Sequence, residues 1–337
     1  MRRPLLWLCV LAALASSPSA AAKSASSWAQ AELNAVVAAG LMAKEAAARP
    51  DTPLSRQELE LLVAGLLRSE PAKPLQPTAT VTVAQLDARL VGMLGLSGAA
   101  RVFTTGAKTA GLSPPSRFGT ESVARLLSLR KNHPAGQDRL ELAPAEPATR
   151  AEAAYSAAQI LRFGTWSPQP VNDLAATFVL PALTPWQKKI LSTAVRFIGY
   201  PYVWGGESES TTSPYGPQPR GGFDCSGFVW RVYKVQTYAG AAGLADTLQG
   251  RTTYAMSAEG KRIALAQLQP ADLLFFGPKG PRSKPAQIDH MGIYLGNGWF
   301  IHSSRQGVAI AAVSGGYAQR LAWGRRPLAE AAVVSVF

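Results

Sequence analysis

The chain has 337 residues, of which 47% are hydrophobic and 16% charged, with a formal net charge of +13, two cysteines and three histidines. Beyond the first residues no apolar run reaches the roughly 20 residues needed to cross a bilayer, which excludes a multi-span membrane protein. Two cysteines exclude a disulfide-stapled scaffold, and three histidines without a Cys-x-x-Cys pair exclude a zinc-finger array. The length predicts two domains.

Residues 1–22 have the pattern of a secretory signal peptide, with Arg2 and Arg3 before a short apolar stretch and small residues at its end. Cys9 lies in the apolar stretch and follows Leu8, which argues against lipid anchoring. Removal of this segment leaves a net charge of +11 and Cys225 as the remaining cysteine. A basic exported chain is attracted to polyanions, whereas the sequence has no nucleic-acid motif. We therefore expect a secreted protein associated with the cell wall or cell surface.

Residues 23–165 predict an all-α domain of short helices. Three of them begin with a hydroxyl residue followed three residues later by Glu or Gln, a pattern that caps a helix from both sides. The three hydroxyl residues are Ser55, Thr82 and Thr149. Together with an aromatic-start helix and a Gly40-Leu41 stop, this pattern resembles the surface-layer homology repeat, which in its family binds cell-wall polysaccharide. The alternative is a plain helical accessory domain.

Residues 166–184 contain several prolines and predict a linker, after which residues 185–337 form a second domain. This domain holds Cys225, directly before an apolar stretch that predicts a helix. A thiol at a helix start lies near unpaired amides and the positive end of the helix dipole, which favours the thiolate. Asp224 or Ser226 can cap this helix. A buried structural cysteine is the alternative, but the neighbours of Cys225 are polar and rich in glycine.

A nucleophilic thiolate needs a base and a third group that orients the base. His133 lies in a turn-like stretch and is interpreted as a solvated loop residue. His290 and His302 flank Gly-Asn-Gly, a hairpin signal in an alternating segment. A two-residue turn places these two histidines on opposite faces, whereas a three-residue loop pairs Gly292 with His302 and brings both to one face. A catalytic pair therefore predicts an odd-numbered loop; the alternative is an ordinary sheet surface.

Four segments follow in order: 199–206 (GYPYVWGG), 223–229 (FDCSGFV), 268–276 (LQPADLLFF) and 290–302 (HMGIYLGNGWFIH). Together they resemble the NlpC-type cell-wall cysteine peptidases, a branch of the papain-like fold. The resemblance implies an α+β domain at residues 185–337, in which a helix carrying the cysteine packs on an antiparallel sheet carrying the histidines. It also implies that Cys225 is the nucleophile, His290 the base and later the acid, and His302 the orienting residue.

Further roles follow from the same resemblance. Tyr202 matches the family tyrosine near the oxyanion site, while Asp224 and Ser226 match positions that contact the free amino end of the substrate. The segment between the first two motifs, residues 207–223, is longer than usual, and we interpret it as a lid over the cleft or a surface loop.

The implied function is a secreted peptidoglycan hydrolase that cleaves the stem peptide between D-glutamate and a diamino acid, without cofactor or metal. Expected partners are stem peptides and anionic cell-wall polysaccharide. One alternative is an acyltransferase or amidase of the same fold that acts on another wall or lipid substrate. Another is a catalytically silent wall-binding protein. A zinc site at Cys225, His290 and His302 has too few evident ligands.

Overall fold

The computed structural model describes residues 26–333. The predicted signal peptide, residues 1–22, and Cys9 within it lie outside the described residues. The N-terminal part is helical, as the sequence predicts. Its elements are α1 (Gln30–Ala38), α2 (Lys44–Ala47), α3 (Arg56–Leu67), α4 (Val83–Met93), α5 (Ser97–Thr109), α6 (Phe118–Leu126), a 3₁₀ helix (Ala135–Leu140) and α7 (Arg150–Leu161).

Helices α3, α4 and α7 begin at the hydroxyl residues identified in the sequence. Ser55 and Thr82 form capping boxes: the hydroxyl accepts the amide N–H three residues later, and that residue's side chain accepts the N–H of the cap. Thr149 makes the first of these two bonds at the start of α7. Each cap satisfies a backbone donor that has no partner within its helix, so the sequence fixes where these helices begin.

The segments that precede these three helices close a ring of backbone hydrogen bonds. The Leu54 N–H donates to the Ala148 carbonyl at 2.8 Å, Ala148 donates to Val81 at 2.8 Å, and Val81 donates to Leu54 at 2.9 Å. Each segment therefore pairs with both of the others in a pseudo-threefold arrangement. Although unevenly spaced in sequence, the three capping motifs belong to one structural unit.

The segment 166–184, expected to be a linker, is packed structure. It contains α8 (Gln169–Ala176), and it places Phe178, which is 2% exposed, against the rings of Phe103 and Trp299. The Trp299 Nε1–H donates to the Thr177 carbonyl at 3.1 Å. Its prolines and polar residues are typical of a loop, but its few apolar side chains reach a core that both domains share.

The C-terminal part combines helices with a central sheet. Its helices are α9 (Pro185–Arg196), α10 (Cys225–Trp230) with a π-helical extension (Arg231–Val235), α11 (Thr253–Ala258), α12 (Gly315–Arg320) and α13 (Pro327–Glu330). Its strands are β1 (Glu207–Ser208), β2 (Thr212–Ser213), β3 (Gly216–Pro217), β4 (Gly222–Phe223), β5 (Arg262–Ile263), β6 (Leu273–Phe276), β7 (His290–Gly296), β8 (Trp299–Ser304), β9 (Gly307–Ala312) and β10 (Leu321–Arg325). Short 3₁₀ helices lie at Ala242–Thr247, Leu265–Gln267, Gly280–Arg282 and Pro285–Gln287.

The six-stranded sheet has the order β5-β10-β6-β7-β8-β9, with every neighbouring pair antiparallel. Helix α10 packs on β7 and β8. A helix that begins with the cysteine therefore lies on the two strands that carry the histidines, which confirms the predicted α+β, papain-like class.

The two parts are held together by one apolar core and by bonds across their boundary. The Arg125 Nη2 donates to the Gly199 carbonyl at 2.5 Å, and the Arg117 Nε donates to the Ile198 carbonyl at 3.0 Å. These two arginines, one in α6 and one directly before it, thus bind the backbone at Ile198 and Gly199, where the segment 199–206 begins.

Within residues 26–333, no single helix is long and apolar enough to cross a membrane. The pair α4 and α5 passes the same length and composition test together, but only with a 120° bend between the helices.

Candidate active site

Cys225 is the first residue of α10, as its sequence context predicts. The Asp224 carboxylate caps this helix and accepts the Gly227 N–H at 2.5 Å. The preceding strand β4 and this cap fix the thiol at the helix end, where first-turn amides point away from the helix body.

Asp224 and Ser226 are engaged inside the protein. The Asp224 carboxylate also accepts the Gly205 N–H at 3.0 Å and the Arg251 Nη1 at 3.1 Å, and the same nitrogen donates to the Ser226 Oγ at 2.8 Å. Neither of these two residues is among the described residues that line the cavity holding Cys225. In the structure they position the helix that carries the cysteine, and contact with a substrate amino end stays a prediction for both.

The side chain of Cys225 is almost fully buried. Burial raises the pKa of this thiol to about 12, and the charge of Asp224 acts in the same direction, against the lowering effect of the backbone N–H groups of Ser226 and Met291. Burial therefore favours the neutral thiol, opposite to the effect that we expect from the helix start. Desolvation of a thiol that is only 8% exposed exceeds the contribution of the helix end.

A tight turn joins β7 and β8. Asn297 and Gly298 have φ of 47° and 78°, as a two-residue type I′ turn requires, and the turn pairs Gly296 with Trp299. The prediction of an odd-numbered loop is therefore wrong.

A β-bulge in β7 shifts the pairing of the two strands by one residue, which the two-residue turn alone does not do. Beyond the turn the pairing shifts, so that Tyr294 lies opposite Phe300 and Leu295 is the extra residue. One added residue on a single strand has the same effect on the remaining ladder as one added loop residue. His290 and His302 consequently share a face of the sheet.

The two histidines are in direct contact. The His290 Nε2 lies 2.8 Å from the His302 Nδ1. A Cβ at Gly292 would lie 2.9 Å from the Cβ of His302 and 2.8 Å from the Ile301 carbonyl oxygen, so a glycine is needed for the two strands to approach here. The bond to His302 leaves the Nδ1 of His290 as the ring nitrogen available to the thiol.

Burial favours the uncharged form of both imidazoles. Burial lowers the pKa of His290 to about 4, with a smaller effect from the charge of Arg320. Burial and the neighbouring His290 hold the pKa of His302 well below its usual value. For the Nδ1 of His290 to accept a thiol proton, its Nε2–H must donate to the Nδ1 of His302, which fixes both tautomers. Within residues 26–333, no group of three or more His, Cys, Asp or Glu side chains is placed to hold a metal ion.

Cys225, Tyr202 and His290 line one cavity of about 800 Å³, and His302 lies behind His290. Burial raises the pKa of Tyr202, so its hydroxyl remains a proton donor across the neutral range. A thiol, an oriented imidazole and a phenol in one cavity provide a nucleophile, a base and a hydrogen-bond donor for a developing oxyanion.

The helical domain forms one wall of this cavity. Residues 132–135 and Asp138 line it beside the catalytic-domain side chains. His133, interpreted from the sequence as solvated, is 2% exposed and contacts Trp28 edge-on with 4.5 Å between ring centroids. Its turn-like sequence context gave no sign that an aromatic residue from the start of the domain covers it.

The insertion at residues 207–223 does not cover the cleft in this structure, because none of these residues is among the described residues that line the cavity. The Arg220 Nε donates to the Glu141 carbonyl at 2.9 Å, and Arg220 also pairs with Glu146. The insertion is therefore fastened to the helical domain through Arg220, and of the two interpretations this arrangement favours the surface loop.

Two residues of the site have no signal in the sequence alone. Arg251 bridges Glu207 and Asp224, with its Nε 2.8 Å from the Glu207 carboxylate. Asp138 reaches the cavity from the other domain. Only the packing of distant segments reveals either role.

The model of the NlpC/P60 family matches residues 199–326, which confirms the family resemblance. The chain is 36% identical over 129 residues to "Probable peptidoglycan endopeptidase LytE" of Bacillus subtilis (strain 168), covering 38% of this chain and 30% of that protein. It is 31% identical over 121 residues to "Gamma-D-glutamyl-L-lysine dipeptidyl-peptidase" of the same organism, covering 36% and 33%. It is 35% identical over 137 residues to "Murein DD-endopeptidase MepH" of Escherichia coli (strain K12), covering 40% and 42%.

The matched segment thus spans between 30% and 42% of the length of these relatives.

Proposed function

Residues 199–326 form an NlpC/P60 domain, and from this premise we propose that the protein is a peptidoglycan hydrolase with a thiol mechanism. Cys225 is the nucleophile, His290 the base and later the acid, and His302 the orienting residue. The observation that carries the proposal is the 2.8 Å bond between the two histidines, whose free ring nitrogen shares a cavity with the thiol.

The mechanism starts from a neutral thiol and a neutral imidazole. As the Sγ of Cys225 attacks the amide carbonyl, its proton passes to the Nδ1 of His290, and His302 stabilises the imidazolium through the shared hydrogen bond. The Cys225 N–H and the Tyr202 hydroxyl donate to the oxyanion. His290 then protonates the leaving amine as the C–N bond breaks. Water, deprotonated by His290, attacks the thioester and releases the acid and the thiol.

We propose that the cleaved bond lies between D-glutamate and a diamino acid in the stem peptide. The name of one relative, a gamma-D-glutamyl-L-lysine dipeptidyl-peptidase, supports this choice, whereas another relative is named a DD-endopeptidase. The names of the relatives thus agree on peptidoglycan peptides as substrates but differ in the bond that is cleaved. Asp224 and Ser226 contribute to it by fixing α10 and, as the family resemblance implies, by contacting the amino end of the peptide.

The test is digestion of purified muropeptides by the wild-type protein and by Cys225→Ala, with new amino termini read by mass spectrometry. We expect a new diamino-acid amino terminus with the wild type and none with Cys225→Ala, because no other described thiol can form the thioester. A thiol-dependent product without a new amino terminus would indicate an acyltransferase, and a new amino terminus on a residue other than the diamino acid would indicate an amidase that cleaves another amide bond. Absence of any thiol-dependent product would favour a silent wall-binding protein.

We further propose that the protein is exported and held at the cell wall. The signal-like residues 1–22, the net charge of +11 after their removal and the family relatives support this. The resemblance of the helical domain to surface-layer homology repeats supports an anionic wall polysaccharide as its ligand. Sedimentation of Cys225→Ala with purified walls, before and after extraction of their anionic polysaccharide, tests this; equal binding to both would contradict it.

A further inference from the structure

A second cavity, of about 500 Å³, lies where the helical domain meets the catalytic domain, and we call it the boundary cavity. No described residue lines both this cavity and that of Cys225. Its charged lining residues are Arg117, directly before α6, Arg196 at the end of α9, Arg231 at the start of the π-helical extension, and Glu209 of the insertion. Three guanidiniums and one carboxylate give the boundary cavity a net charge of +2.

The carboxylate of the boundary cavity is occupied by one of the three arginines. The Arg231 Nε and Nη2 donate to the two oxygens of Glu209, each at 2.8 Å. Such a bidentate pair neutralises one guanidinium and fixes the carboxylate in place. Arg117 and Arg196 therefore have no acid of their own at this cavity.

Arg117 is held by backbone carbonyls in place of an acid. Its Nε donates to the Ile198 carbonyl at 3.0 Å and its Nη2 to the Arg196 carbonyl at 2.7 Å. These carbonyls lie at and just beyond the end of α9, where the helix dipole supplies only about half a negative charge. The acid of α6, Glu121, is paired with Arg125. Burial lowers the pKa of Arg117, and the charge of Glu121 acts in the opposite direction.

Arg196 brings a second positive charge next to Arg231. The two guanidiniums lie 4.9 Å and 5.2 Å from the centroid of the same ring, that of Phe197. The Arg196 Nη2 is 4.0 Å from the Glu209 carboxylate, beyond hydrogen-bond distance, so its N–H donors are available to a ligand. Tyr200 also lines the cavity, and burial raises the pKa of its hydroxyl, which therefore keeps its proton. Positive charges and donors thus exceed acceptors here.

We propose that the boundary cavity binds a phosphate group. Arginine forks match both phosphate and carboxylate, and the charge decides between them. A carboxylate carries one negative charge, whereas a phosphate monoester carries about 1.5–2 near neutral pH, which balances the net charge of +2. Free phosphate, phosphate monoesters and the phosphodiesters of anionic polymers share this chemistry, and the experiment separates them. The site has no residue in common with the catalytic cavity, so its test does not depend on hydrolysis.

The test measures the affinity of the protein for inorganic phosphate, diethyl phosphate and acetate by calorimetry at constant ionic strength. The wild type is compared with Arg196→Gln and with Arg162→Gln. Arg162 is the matched control because its side chain is 53% exposed, against 54% for Arg196, and it is paired with Glu32 in the helical domain. Thermal denaturation in each anion gives a second readout, since a ligand that binds the folded state raises Tm.

We expect saturable binding of inorganic phosphate that raises Tm, and an affinity for acetate at least about tenfold lower. Arg196→Gln should weaken phosphate binding at least about tenfold, whereas Arg162→Gln should bind phosphate as the wild type does. Diethyl phosphate that binds at least as tightly as inorganic phosphate identifies a diester as the ligand, and weaker binding identifies free phosphate or a monoester.

Three results would overturn the proposal. The first is the absence of saturable phosphate binding to the wild type. The second is an affinity for acetate equal to that for phosphate, which would show that the cavity does not distinguish phosphate from a carboxylate. The third is an equal effect of Arg196→Gln and Arg162→Gln, which would mean that phosphate responds only to the overall charge of the protein.

Discussion

His290 differs from a free histidine because it is partly buried and its Nε2 is hydrogen-bonded to the imidazole of His302. A base must be uncharged to accept a proton, so activity falls as pH drops through the pKa of His290. Since burial lowers that pKa to about 4, we expect the acid limb of kcat/KM near pH 4 and not at the usual value of 6.5. A profile measured from pH 3.5 to 8 on a stem peptide checks this.

Arg320 provides the control for this profile. Its charge lowers the pKa of His290, so Arg320→Gln is expected to move the acid limb to higher pH. Arg282→Gln, a change of an exposed arginine, should leave the limb in place. An acid limb at or above pH 6.5 in the wild type would mean that the working base is not the buried, neutral His290 of this structure.

Among the elements, the β7–β8 hairpin shows most clearly what sequence reasoning can and cannot reach. The Asn-Gly turn and the alternation of the strands are predictable from local patterns, although these two features alone would put the histidines on opposite faces. The bulge at Leu295 is not, because either strand or the loop can take up one extra residue without changing the pattern. Register depends on packing against β6 and β9, which local sequence does not encode.

Gly292 is the critical residue of that hairpin. In Gly292→Ala the new Cβ would meet the Ile301 carbonyl oxygen at 2.8 Å and the His302 Cβ at 2.9 Å, so β7 and β8 must separate. We expect a loss of about 1–3 kcal/mol in the free energy of unfolding, measured by urea denaturation. A loss of kcat should accompany it at temperatures where the variant is folded, because the histidine pair moves apart.

Gly98→Ala is the matched control, since a Cβ at Gly98 meets no atom within 4 Å and alanine favours the helix. It should keep wild-type activity and equal or slightly higher stability. Wild-type stability and kcat in Gly292→Ala would contradict the role given to this glycine.

At the scale of the whole molecule, the two domains form one packed body. Phe178, from the segment between them, contacts Phe103 of α5 and Trp299 of β8 with ring centroids 5.2 Å and 5.1 Å away. We therefore expect one cooperative thermal transition, and we expect Phe178→Ala to destabilise the whole protein by about 3–5 kcal/mol. Calorimetry with parallel tryptophan fluorescence measures both.

Val179→Ala is the neighbouring control, because Val179 is 63% exposed and its loss should change stability by less than about 0.5 kcal/mol. Two separate transitions in the wild type, or a shift of only one of them in Phe178→Ala, would show that the domains unfold independently.

The boundary between the domains was also where the sequence was least informative. Motifs at Cys225, His290 and His302 lie within single elements, so their placement follows from local spacing and family resemblance. Asp138 and Arg117 act through contacts with residues far along the chain. Such contacts arise from how faces of the helices meet the sheet, and no pattern along one segment specifies them.

The backbone ring of the helical domain also determines the order in which the chain can fold. Leu54 finds its acceptor only on Ala148, and Ala148 in turn finds its own on Val81. Bringing together segments so far apart in sequence costs chain entropy before the backbone hydrogen bonds can form, which slows folding. As the chain leaves the ribosome, the ring stays open until the third segment has emerged. The ring can therefore close only after Ala148 has emerged, late in the synthesis of this domain.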